Sequence, residues 1–176
     1  MWHRAKPNGF TLIEILVVLI IVGLLAALAT VNMAGGSQQR ELQEQVRELY
    51  LLMQTASEQA VLNNREFGLV LEDGGYQFVA FEDETGDWRA SSERLFRPRR
   101  FPDWLVITEY LENSAPRLMS ANDEGLRPEV VFFSSGETTP FELEFTLRDG
   151  ADTVHTIASD GISALQWHRP GAEGQP

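Results

Sequence analysis

The chain has 176 residues, with 14 Lys+Arg against 26 Asp+Glu, a formal net charge of −12 and no cysteine. Hydrophobic residues at 43% and charged residues at 23% exclude a globally disordered chain, and the length suits one domain with appendages. The acidic balance provides no net positive field to displace counterions from phosphates, which argues against a nucleic-acid partner, while the lack of cysteine excludes disulfides, thiolate zinc sites, iron–sulfur clusters and thiol catalysis without fixing the compartment.

The first element is apolar. Residues 10–31, FTLIEILVVLIIVGLLAALATV, contain one charge, Glu14. As a helix these residues reach ~33 Å, close to the ~30 Å hydrocarbon thickness of a bilayer. They predict a transmembrane or fibre-core helix over 10–33. The preceding MWHRAKPNG carries only Arg4 and Lys6, both basic, and the rest of the chain is acidic. Positive residues stay on the cytoplasmic side, so the expected orientation places the N-terminus inside and the acidic bulk outside.

Three readings compete for this segment: a cleaved secretory signal ending at the small-x-small run Ala27-Leu28-Ala29, a plain signal anchor, and a prepilin-type leader cut before the apolar run, which is kept. Glu14 discriminates between them. A carboxylate in an apolar helix costs up to ~3 kcal/mol at mid-bilayer, and a disposable signal or bland anchor has no reason to carry one.

Gly9-Phe10-Thr11-Leu12-Ile13-Glu14 resembles the N-terminal signature of type IV pilins and type II secretion pseudopilins. The resemblance implies that residues 1–9 are a leader, that a prepilin peptidase cuts between Gly9 and Phe10 on the cytoplasmic face, and that Phe10 becomes N-methylphenylalanine. Glu14 matches that family's acidic position. The residues agree physically with this. A glycine at the cut lets the backbone extend into a protease cleft. Cleavage creates an ammonium on Phe10, four residues before Glu14, which can neutralise the acid within the chain or on a neighbouring subunit.

From Ser37 the helical pattern continues with a different face. Gly35-Gly36 is a weak point, at ~1 kcal/mol per glycine relative to alanine, and marks the expected membrane exit and a bend. Leu42, Val46, Leu49, Met53, Ala56 and Ala60 then form one helical stripe, with Arg40, Glu41, Glu44, Arg47, Glu48 and Glu58 mostly elsewhere. The stripe is read as covering the domain's own sheet rather than as a subunit contact. This amphipathic continuation spans 34–64, with Asn63-Asn64 as its stop.

Residues 65–169 read as a β-rich head, and 170–176 as a frayed tail. Phe67–Glu72 and Tyr76–Phe81 flank the turn Asp73-Gly74-Gly75. Leu105–Leu111 and Val130–Phe133 follow, then Phe141, Leu143, Phe145 and Leu147 alternate with Glu142, Glu144, Thr146 and Arg148. Thr153–Ala158 and Ile162–His168 complete seven predicted strands. The expected fold is α+β and type IV pilin-like: a long N-terminal helix, with its C-terminal half packed on two small antiparallel sheets.

The head carries a second resemblance. Glu66-Phe67-Gly68-Leu69, Gly75-Tyr76-Gln77-Phe78, Asp87-Trp88 and Ser134-Ser135-Gly136-Glu137-Thr138-Thr139-Pro140-Phe141 are similar to the GspH-type minor pseudopilins. FimT-like minor type IV pilins share the domain, and some engage DNA through a basic C-terminal region. This chain departs from them: after Phe141 it has Arg148 and Arg169 against Glu142, Glu144, Asp149, Asp152, Asp160 and Glu173. The secretion-system family is therefore preferred, with a FimT-like pilin or an exported soluble domain as the alternatives. The resemblance implies several partners: the prepilin peptidase, the major pseudopilin, and the other minor pseudopilins of the tip. It also implies a Gram-negative inner membrane with the head in the periplasm, and no cofactor, nucleic acid or small-molecule substrate.

Other constellations have plainer readings. Arg94, Arg97, Arg99 and Arg100, with Phe96, Phe101 and Trp104 interleaved between Pro98 and Pro102, suit a loop that pairs with its own acidic surface or docks a neighbour. Glu82, Asp83, Glu84 and Asp87 around Gly86 miss the EF-hand spacing and read as a solvated turn. His155 and His168 lack metal-ligand spacing, and Ser134, His155 and Asp160 lack the GxSxG elbow of a hydrolase. Trp88, Trp104 and Trp167 read as packing residues. The expected protein is not an enzyme.

Overall fold

A computed structural model describes residues 11–72, 74–111 and 125–171, excluding the side chains of 26–35, 151 and 152. The leader 1–9, the cleavage positions Gly9 and Phe10, turn residue Asp73 and most of the tail lie outside the described residues. The chain divides into two units, Met1–Arg40 and Glu41–Pro176.

One helix, α1, runs from Leu12 to Asn63. Gly35 and Gly36 do not end it; the Arg40 guanidinium Nε donates to the Gly36 carbonyl at 3.2 Å. Its C-terminus is closed by a Schellman arrangement. Asn64 takes φ 48°, the Asn64 amide donates to Val61 O and the Arg65 amide to Ala60 O. Asparagine tolerates the left-handed region better than other residues with a Cβ, which is why Asn63-Asn64 stops the helix.

Among the described residues nine short strands follow: β1 Phe67–Glu72, β2 Gly75–Glu82, β3 Asp87–Ala90, β4 Arg99–Arg100, β5 Leu105–Leu111, β6 Val130–Phe132, β7 Phe141–Leu147, β8 Gly150–Ser159 and β9 Gln166–His168. They form two antiparallel sheets. The first has the order β3-β2-β1-β6, with β4 pairing a second stretch of β2; the second has the order β5-β7-β8-β9. Seven of the nine match the predicted strands. The expected last strand, 162–168, contracts to Gln166–His168, and its first half is a turn.

The additional strands β3 and β4 depend on contacts distant in sequence. Trp88 of β3 is buried edge-on to Phe81 at 5.2 Å. The β4 segment is anchored by buried Phe96 and Phe101 on either side of it, Phe96 lying 4.9 Å from Phe78 and Phe101 5.0 Å from Tyr76. No local alternation announces such strands.

The helical stripe lies at the centre of the core. Leu42, Val46, Leu49, Met53, Ala56 and Ala60 are all 0% exposed. They share one cluster with Phe67, Phe78, Phe132, Leu143, Phe145 and Ile157 from both sheets. Burying each large side chain contributes ~1.5–3 kcal/mol, so the helix–sheet seam dominates the head's stability. A smaller cluster, Val70, Val79, Trp88 and Val131, covers the other face of the first sheet. This explains why β1 and β2 are buried on both faces and lack clean alternation.

Candidate functional site

In the first unit the Thr11 carbonyl accepts from the amides of Glu14 (3.1 Å) and Ile15 (3.3 Å), starting the helix with Glu14 in its first turn. A carboxylate there is favoured by the helix dipole. Glu14 is exposed, and so are the large apolar side chains from Leu12 (84%) to Leu25 (61%). A continuous apolar surface of this extent is stable only against lipid or other apolar helices. Among the described residues no helix is long and apolar enough to cross a membrane; the expected span 10–33 includes Phe10 and the side chains of 26–33, which are outside the description.

In the second unit the basic loop pairs with the domain itself. Arg99 Nε meets Glu48 Oε1 of α1 at 2.9 Å, and its Nη1 donates to the carbonyls of Leu95 and Arg97 at 3.0 and 3.1 Å. Arg94, Arg97 and Arg100 are exposed. Behind the clamp the Tyr76 hydroxyl is buried without a hydrogen-bond partner; burial raises its pKa well above the ordinary value despite nearby Arg99. The acidic segment is a tight turn: Thr85 and Gly86 amides donate to Glu82 O, Gly86 takes φ 68°, and the Glu82 carboxylate pairs with Arg89 at 3.0 Å. No group of three or more His, Cys, Asp or Glu side chains converges on a possible metal position among the described residues.

Ser134, His155 and Asp160 are not hydrogen-bonded to one another. Ser134 Oγ donates to Glu66 at 2.9 Å. Asp160 accepts the amides of Ser163 (2.7 Å) and Ile162 (3.0 Å) and the Ser163 hydroxyl, and these bonds hold its pKa below the usual value. His155 lies in the core, 5.9 Å from the Trp167 ring, with Nδ1 unpartnered. Its pKa is lowered by burial and then by Arg169, whose guanidinium sits 4.3 Å over Trp167. Tyr50 joins this cluster to α1, its hydroxyl donating to Leu165 O at 3.1 Å and its ring lying 5.8 Å from Trp167. Sequence reading did not foresee the Arg99–Glu48 pair by partner, nor the Tyr50–Trp167–His155 stack.

Comparison with known proteins decides what this arrangement belongs to. The family model "Type II transport protein GspH" matches residues 45–161, and "Prokaryotic N-terminal methylation motif" matches residues 4–30. The chain belongs to the GspH family. Its GspH-family match begins one residue before Val46, so it contains most of the buried stripe, the first sheet and three of the four strands of the second. The methylation motif contains Gly9, Phe10 and Glu14.

Type II secretion system protein H of Aeromonas hydrophila is 34% identical over 173 residues, covering 93% of this chain and 94% of its own length. The protein H of Pseudomonas aeruginosa is 31% identical, covering 88% and 92%. The solved structure of the minor pseudopilin EpsH from the type 2 secretion system of Vibrio cholerae superimposes with a TM-score of 0.61 at 19% identity, covering 74% of this chain and 98% of that one. The GspH-family head thus has the minor-pseudopilin fold.

Proposed function

We infer that this chain is a non-catalytic minor pseudopilin of a type II secretion system, a subunit of the pseudopilus that takes part in exporting folded periplasmic proteins across the outer membrane. One observation carries the reading: a methylation motif over 4–30 and a GspH domain over 45–161 occupy the same polypeptide. The chain is membrane-anchored through its apolar helix, with its N-terminus cytoplasmic and its head periplasmic, until it joins the fibre.

The physics of assembly follows from the exposed surface of Leu12–Leu25. In the bilayer that surface is covered by lipid; in the fibre it is covered by the helices of neighbouring subunits. Transfer between these apolar phases requires only differential packing plus external work. Glu14 gives the transfer its specificity. Away from the interface its carboxylate needs a counter-charge, and the Phe10 ammonium freed when a prepilin peptidase cuts after Gly9 is the partner, on an adjacent major or minor pseudopilin.

The test is Glu14→Val in cells carrying the secretion system. The variant inserts and is processed, but does not co-purify with other pseudopilins or support export. Normal co-purification of that variant would contradict the role.

A further inference from the structure

We propose that the outer edge of β5 is a docking strand to which an extended, cation-bearing segment of another protein adds as a fifth strand of the second sheet. The argument starts from the sheet edges. β6 is closed on its outer side by the Phe132–Thr138 bridge, by the Thr139 amide donating to Val131 O at 3.0 Å and by the Val131 amide donating to Thr139 Oγ1 at 3.0 Å. β3 has four residues and β4 two, and β3's Arg89 is tied to Glu82. β9 has three residues and is followed by Arg169-Pro170. Short, charged or proline-bounded edges of this kind do not template further pairing.

β5 differs from all of these. It has seven residues, each in unbroken register with β7 from Leu105↔Leu147 to Leu111↔Phe141, and no strand among the described residues lies on its other side. It contains no proline, lysine or arginine, and Thr108, Glu109 and Tyr110 are exposed. Long edges left open in this way are used for strand addition or incur aggregation.

The chemistry of the edge selects its occupant. Glu109 opposes Leu143, which is completely buried, so the edge presents a carboxylate on the core-facing side of the sheet. At the Leu111 end of the strand a cleft of about 600 Å³ runs from β5 across the start of β7 to the end of β8, lined by Glu109, Tyr110, Leu111, Phe141, Glu142 and Asp160. It holds three carboxylates and no basic side chain among its lining residues. An entirely apolar strand would strand Glu109 against carbon, whereas a Lys or Arg at the facing position pairs with it. A second copy of this chain is disfavoured, because β5 against β5 brings together two copies of the same carboxylates at a net charge of −12 each.

The test uses the full chain in a non-ionic detergent, with a synthetic peptide of about ten residues alternating Thr and Lys and a Thr–Glu peptide as control. Anisotropy of the labelled peptide and amide hydrogen exchange over 105–111 are read together. The Lys peptide binds and slows exchange of the β5 amides, the Glu peptide does neither, and Glu109→Lys weakens the Lys peptide about tenfold. Thr108→Pro removes binding; Glu109→Lys and Glu142→Lys, which leave the strand backbone intact, keep the test decisive if the proline variant unfolds. Four results would overturn the proposal: equal binding of both peptides, Lys-peptide binding with β5 exchange unchanged, β5 amides already protected in the free chain, or protection that rises with protein concentration through self-pairing. The proposal rests on the head alone, so a negative result leaves the fibre reading intact.

Discussion

At position 14 a carboxylate follows Leu12 and Ile13 and precedes eleven more residues without a charge up to Leu25. Its cost in an apolar phase exceeds that of any neighbour, and the proposed role offsets that cost with a counter-charge on an adjacent subunit. If the proposed cut falls after Gly9, replacing Gly9 with a bulky residue should leave the leader attached, seen as a mass increase of nine residues in the isolated protein. In the head, the fold opposes protonation of His155. Its folded pKa lies below the ordinary 6.5, through burial first and Arg169 second. The unfolded chain therefore binds the proton first as pH falls. The stability His155 contributes is complete above about 6.5 and is lost progressively as the pH drops below that value toward the folded pKa. Thermal midpoints should fall between about pH 7 and 5, and His155→Phe should flatten that part of the profile. An unchanged slope in the variant would assign the dependence to other groups. Asp160 acts in a lower window: its folded pKa is depressed by the Ser163 and Ile162 amides, so its contribution is present above about 3.8 and disappears only in more acid solution.

At the scale of elements, the α1 stripe and the sheets depend on each other. Leu49→Ala removes a completely buried side chain and should cost ~2–5 kcal/mol in denaturant unfolding of the head. Gly68 marks a different constraint. A Cβ there would lie 2.6 Å from Pro128 Cβ, so Gly68→Ala should lower stability by ~1–3 kcal/mol although it adds only a methyl group. The stripe was legible in the sequence because one face of a helix buried against a sheet must repeat every three to four residues, and Leu42 through Ala60 do so. β7 was legible for the equivalent reason at period two: Phe141, Leu143 and Phe145 are buried, with Glu142 exposed between them. β3, β4 and the Arg99–Glu48 clamp were not legible, because Trp88, Phe96 and Phe101 find their partners through the tertiary fold rather than through any local period. Edge status was hidden for a related reason: nothing within Leu105–Leu111 states which strand lies beside it. The N-terminal signature was legible because a lone acid in an apolar run behind a glycine is a signal held in consecutive residues, and the methylation motif matches over 4–30.

For the whole molecule, the division at Arg40 separates two kinds of stability. The second unit contains its own core from Leu42 to Leu165, whereas the described apolar side chains of the first unit are exposed. A fragment beginning at Gln38 should therefore stay folded and soluble without detergent, while the full chain should partition into carbonate-resistant membrane. Aggregation of the fragment under native conditions would show that the head's core is incomplete without the first unit. The account as a whole requires that the apolar helix survives processing, because a fibre subunit without it has nothing to pack. The direct measurement is the intact mass and N-terminal residue of the native polypeptide extracted from membranes. The account predicts a chain that begins at Phe10 and carries one added methyl group; a chain that begins near Thr30, with the apolar run gone, would contradict it.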